Sequence, residues 1–132
     1  QSLARLGRPY VDLYLMHWPF ALRRTGPLTS QRNEAGQALV DDSIDVIKVY
    51  HEMQSLVEEG LCKAIGVSNF NLRRMQELLA SQPRIKPAVL QIELHPLLPQ
   101  SHLVEYCQSQ GILVQAYSPL GSGSTVLDHP AI

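Results

Sequence analysis

Little in this sequence could tie it to a metal, a membrane or a polyanion. The 132 residues include only two cysteines, Cys62 and Cys107. They lie far apart and outside any metal-ligand spacing, so two buried reduced thiols are expected rather than a disulfide. The five histidines, His17, His51, His95, His102 and His129, show no His-x-x-x-His spacing, which argues against a zinc site. No Gly-x-Ser-x-Gly elbow is present, so serine hydrolysis lacks its nucleophile signal. Neither sign of charge dominates: 11 basic residues face 12 acidic ones, for a net charge of -1. Because the basic residues are dispersed, no footprint for nucleic acid or an anionic membrane results. No apolar run reaches the length of a membrane span, and the first residues carry no leader-like apolar core. A cytoplasmic location is the expectation.

The chain is 45% hydrophobic and 17% charged, which is enough apolar material for a real core. Near the start, Arg8 to Phe20 reads as a buried strand, Val11 to Met16, that ends on His17, Trp18 and Pro19. Its apolar residues fall on both parities apart from Asp12, which predicts cover on both faces. Before it, Ser2 to Leu6 forms a short helix closed by Gly7, and Pro9 forbids continuation. From Trp18 to about Asp42 there is loop composition without sustained period, of a length usually kept for lids and binding loops.

Asp42 or Ser43 is expected to cap the next helix, whose apolar face is Val46, Val49, Tyr50, Met53, Leu56 and Val57. Gly60 closes it, and a strand from Leu61 or Cys62 to Val67 follows. Asn71 caps a helix with Leu72, Met75, Leu78 and Leu79 on one face. Ala88 to Leu94 is the third strand, Ser101 to Gln110 a helix stopped by Gly111, and Ile112 to Tyr117 the fourth strand. Strand and helix alternate with short connections, so the class is α/β with parallel strands. Periodicity alone leaves half of an eight-stranded barrel and a small doubly wound sheet equally open.

Polar residues recur at the carboxyl ends of all four strands: His17; Ser68 and Asn69; Gln91, Glu93 and His95; Tyr117 and Ser118. One such residue is ordinarily structural, whereas four successive strand ends imply a pocket, because that edge is where α/β sheets bind ligands. Carboxamides offer donor and acceptor together and suit a ligand that carries its own amide. Tyr117 can form a stacking platform or simply fill the core. His17 can donate to a polarised oxygen, beside the apolar wall of Trp18. The Ser118 to Ser124 loop could cradle phosphate through its backbone N–H groups or be a plain turn.

Four ordered motifs resemble the aldo-keto reductases: Asp12 to Pro19, Glu59 to Phe70, Gln91 to Pro96, and Ala116 to Gly121. The resemblance covers almost the whole chain and implies strands four to seven of a (β/α)8 TIM barrel, in one segment over residues 1–132. It further implies NADPH, with NADH less favoured, and reduction of small-molecule aldehydes or ketones to alcohols. By the same resemblance His17 orients the substrate carbonyl, and Trp18 forms part of the substrate wall. Ser68, Asn69 and Gln91 bond the nicotinamide carboxamide, while Tyr117 stacks on its ring. Ser118, Leu120 and Ser122 wrap the pyrophosphate, with Ser124 as the alternative to Ser122. The family's catalytic tyrosine, lysine and aspartate belong to earlier strands than these. A non-catalytic, NADPH-binding regulatory or structural member of the same fold is the alternative. The expected parent is a monomer or weak dimer, and the segment alone is expected to self-associate through its edge strands and to be inactive.

Overall fold

The computed structural model describes residues 2–26, 29–123 and 126–127. The order is α1 (Ser2–Leu6), β1 (Val11–Met16), α2 (Val46–Glu58), β2 (Cys62–Ser68), α3 (Leu72–Ala80), β3 (Val89–Glu93), α4 (Ser101–Ser109) and β4 (Leu113–Tyr117). All strand pairs are parallel, and the strands lie side by side in chain order, β1-β2-β3-β4. No reversal of winding, the mark of a doubly wound sheet, occurs among them.

The helices explain the curvature. Tyr50 and Met53 of α2, Met75 and Leu78 of α3, and Leu103 and Cys107 of α4 share one core cluster with Ile65, Val67, Leu90 and Ile92. Those strand residues project from one side of the sheet, so all three helices cover that side. The opposite side carries Gln91 and Gln115, which pair in register. An arc with helices outside and polar residues inside is the geometry of a (β/α)8 barrel.

Local chemistry sets the helix limits. Asn71 caps α3, its side chain accepting from the Arg74 N–H at 2.9 Å. For α2 the cap is Asp45, which accepts from the N–H groups of Ile47 and Lys48, rather than Asp42 or Ser43. Asp41, Asp42, Ser43 and Asp45 are chemically near-equivalent caps. Asp41 is instead spent on a turn, accepting from the Ser43 N–H and hydroxyl. The hydroxyl and amide of Ser43 hold the Asp41 carboxyl below its ordinary range. The buried face of α2 also differs from expectation: Val49 is exposed, and Gln54 is buried. Gln54 tolerates burial because its oxygen accepts from Ile85 N–H at 2.8 Å while its Nε2 donates to His51 O at 3.0 Å. Tyr50 adds a bond to Ile85 O at 3.0 Å, so α2 clamps the long α3–β3 connection.

Strand β1 is less covered than its apolar run implies. None of its residues is fully buried, and Tyr14 is 47% exposed. The reason is its position at the edge of the sheet, with β2 as its only strand neighbour. Cys62 and Cys107 are free and buried, as expected. Burial pushes the Cys107 thiol up to about 11, so it remains neutral and unreactive at ordinary pH.

After Trp18 the chain is not a formless loop. Three short segments pair cyclically: Arg23 N–H donates to Leu39 O, Leu39 N–H to Gln31 O, and Gln31 N–H to Arg23 O, at 2.7–2.9 Å. Antiparallel bridges Leu22–Val40, Arg24–Ser30 and Arg32–Ala38 accompany them. The pairing runs through backbone groups and requires no hydrophobic alternation, so composition alone could not reveal it.

Candidate active site

The carboxyl ends of all four strands are joined by one hydrogen-bond network. Asn69 is its centre, held in the left-handed region at φ 62° directly after β2. Its Nδ2 donates to the backbone oxygen of His17 at 2.8 Å and to Ser68 Oγ at 3.2 Å. Its Oδ1 accepts from the Tyr117 hydroxyl at 2.8 Å. Ser68, buried, donates from Oγ to the backbone oxygen of Gln91 at 2.9 Å, and the Asn69 N–H donates to the same oxygen. Strands β1 to β4 are thereby locked together at one edge by three side chains, those of Ser68, Asn69 and Tyr117.

The asparagine explains why the arrangement is local as well as long-range. A left-handed residue between β2 and the cap of α3 turns the chain sharply, and asparagine accepts that conformation more readily than most residues. Tyr117 is then tethered by its hydroxyl, which fixes the direction of its ring axis.

His17 and Trp18 follow β1 at the same edge. Their rings lie 5.6 Å apart, and the Trp18 ring is 5.5 Å from that of Phe20. Trp18 and Phe20 are both about two-fifths exposed, at 44% and 40%. Phe20 is a member of this aromatic row that the sequence reading left out, although its place directly after Pro19 was a usable signal. The His17 imidazole has no hydrogen-bond partner among the described residues, so its donor is available to a ligand.

After β4, Ser118 (φ 47°), Gly121 (φ 71°) and Ser122 (φ 50°) all occupy the left-handed region. The Gly121 N–H donates to Ser118 O at 2.8 Å, and Ser122 Oγ donates to Ser118 Oγ at 2.6 Å. Leu120 is exposed. Ser124 lies outside the described residues. Glu93 and His95 form a separate pair at the end of β3, with Nε2 and Oε1 3.4 Å apart, and do not join the network around Asn69. Among the described residues there is no group of three or more side chains able to hold a metal. The network's donors and acceptors are amides and hydroxyls, all neutral. Such a set fits an amide-bearing ring and its linker, and suits a bound metal poorly.

The sequence model of the Aldo/keto reductase family matches residues 1–127. The chain belongs to that family. It is 46% identical over 140 residues to the glycerol 2-dehydrogenase (NADP(+)) of Saccharomyces cerevisiae, covering all of this chain and 45% of the yeast protein. It is 47% identical to aldo-keto reductase family 1 member A1 of Gallus gallus, over 98% of this chain and 39% of that protein. In three dimensions it matches the aldose reductase of Schistosoma japonicum with a TM-score of 0.82 and 47% identity. That match covers 92% of this chain and 39% of the aldose reductase. The chain therefore spans less than half the length of these relatives. An aldo/keto reductase barrel is the fold to which the four-stranded arc belongs. No helix among the described residues is long and apolar enough to cross a membrane.

Two residues escaped the sequence reading of this site. Besides Phe20, Gln115 stands on the inner side of β4 and accepts from Gln91 Nε2 at 2.9 Å. A strand-by-strand reading treats Gln115 as one polar residue in an apolar run. The available signal was its height: Gln91 precedes Glu93 by two and Gln115 precedes Tyr117 by two, and Glu93 and Tyr117 are paired.

Proposed function

We propose that the intact protein reduces aldehydes or ketones to alcohols with NADPH. The observation that carries this reading is the Tyr117–Asn69–Ser68 network, which fixes a stacking ring beside a set of carboxamides at the strand ends. Bound NADPH would supply the hydride. Ser68, Asn69 and Gln91 would hold its nicotinamide carboxamide, with Tyr117 against the ring. Ser118, Leu120 and Ser122 would line the pyrophosphate path, in the turn that the left-handed residues Ser118, Gly121 and Ser122 form after β4.

His17 would donate a hydrogen bond to the substrate oxygen and so favour the charge that develops there as hydride arrives. Its free imidazole donor and its exposure at the mouth of the site support this role. Trp18, with Phe20 behind it, forms an apolar wall for the carbonyl's substituent and excludes water from it. Protonation of the product oxygen is assigned to none of the described residues.

The test is NADPH oxidation with an aromatic aldehyde by the intact protein and its His17→Ala variant. A fall of about 100-fold in kcat/KM is expected, the usual cost of losing one such donor. Unchanged turnover in the variant removes His17 from the reaction. Binding of NADPH without turnover by the wild type would favour the non-catalytic reading.

A further inference from the structure

The side chains at the strand ends are not equally constrained. Ser68 Oγ both donates and accepts within the protein. Asn69 uses both Nδ2 hydrogens and accepts at Oδ1. Tyr117 is tethered by its hydroxyl. Ser68 Oγ and Asn69 Oδ1 keep one lone pair each to accept from a ligand, but both side chains are fixed by two or more internal bonds. Gln91 is the exception. Its backbone oxygen is pinned by two bonds from β2, but its carboxamide has one partner among the described residues, Gln115.

The two ends of a carboxamide have opposite character, so whichever end is held determines what the other offers. Gln91 and Gln115 are register partners on β3 and β4 and project to the same inner side. With Nε2 of Gln91 donating to Gln115 Oε1 at 2.9 Å, the Gln91 oxygen is left as the open acceptor. We propose that Gln115 is a positioning residue: by holding Gln91 Nε2 it presents Gln91 Oε1 to the amide N–H of a nicotinamide. Gln115 acts through Gln91 and sets the preference for a ring that carries an amide donor. The proposal rests on the reading that Gln91 belongs to the nicotinamide cluster.

The test is calorimetric binding of NADP+ and of its 3-acetylpyridine analogue, in which a methyl ketone replaces the amide and cannot donate. Wild-type intact protein is expected to bind the analogue about tenfold more weakly, the usual penalty for one unmade hydrogen bond. Gln115→Glu still accepts from Gln91 and keeps that ratio. Gln115→Leu releases Gln91 and brings the two affinities to within about twofold. Gln115→Lys can only donate, takes the Gln91 oxygen for itself, and also abolishes the preference. A general loss of structure would weaken both ligands alike and leave the ratio unmoved, so retention of the tenfold ratio in Gln115→Leu overturns the proposal. Retention in Gln115→Lys with loss in Gln115→Glu also overturns it, by showing the opposite orientation of Gln91. Equal binding of the two ligands by the wild type also overturns the proposal, because Gln91 would then be donating to the carbonyl that both carry. Unchanged NADP+ affinity in Gln91→Ala would instead sink the nicotinamide assignment itself.

Discussion

The two edges of the sheet handle backbone strain in opposite ways. At the amino ends of the strands, the turns that lead into β1, β2 and β4 place Gly7, Gly60 and Gly111 in the left-handed region, at φ 61°, 71° and 73°. A side chain at any of these would meet nothing within 4 Å, so the glycines are there for conformation alone. At the carboxyl ends the same backbone region is occupied by Asn69, Gln100, Ser118 and Ser122. Each non-glycine residue there costs roughly 1 kcal/mol or more. Three of the four carry a hydrogen-bonded side chain at a strand end or in the loop after β4, and Gln100 binds the Glu93 carbonyl oxygen at 2.6 Å. Gln82 (φ 52°), in the turn toward β3, is the exception at the amino edge, and Gly121 (φ 71°), after β4, is the exception at the carboxyl edge. The difference shows where a side chain is worth more than relaxed backbone, and that edge is the one with the aromatic row and the amide network.

Substitutions at three positions separate steric, functional and conformational uses of small or left-handed residues. The largest loss of stability is expected from Gly66→Ala. A Cβ there would lie 2.5 Å from the Val89 carbonyl oxygen and 2.8 Å from Leu15 Cδ2, forcing β2 away from β3. Destabilisation of about 3 kcal/mol, read from urea unfolding, is the expected result. Asn69→Gly sharpens the contrast further, because it relaxes the backbone while removing the centre of the network. NADP+ affinity is expected to fall about 50-fold in titration calorimetry, with folding stability within about 1 kcal/mol of wild type. A variant that bound normally would leave the amide network without a binding role. Gly60→Ala should have the smallest effect, about 1 kcal/mol of stability and no change in cofactor affinity, since it adds strain without contact.

Much of the architecture was legible because it depends on periodicity and punctuation. Val11 to Met16, the face of α3, the span of α4 and the stops at Gly7, Gly60 and Gly111 all follow from local chemistry. Sheet order was not legible in periodicity, since both barrel and doubly wound arrangements are built from the same βαβ unit, and only the motif resemblance pointed to the barrel. It took the side-by-side order and the single helix-covered face to decide. The α2 cap was misread because four candidate caps stand within five residues, and only tertiary position selects Asp45. At the site, the residues at strand ends could be nominated from sequence, but their bonding could not. That the Asn69 carboxamide has three internal bonds and the Gln91 carboxamide one depends on distances between four separate strands.

The cyclic pairing after Trp18 has a consequence for how this barrel can change. Its two ends meet, with the Asp41 N–H donating to Ala21 O at 2.9 Å, and its internal bonds run among its own segments. The segment is thus a self-closed cassette, seated beside the aromatic row yet entering and leaving the barrel at one point. Replacement by a loop of different length or composition, spliced at Ala21 and Asp41, would alter what the aromatic wall admits without disturbing the strands below. In this protein, the chain path separates what lies beside the aromatic row from what holds the sheet together.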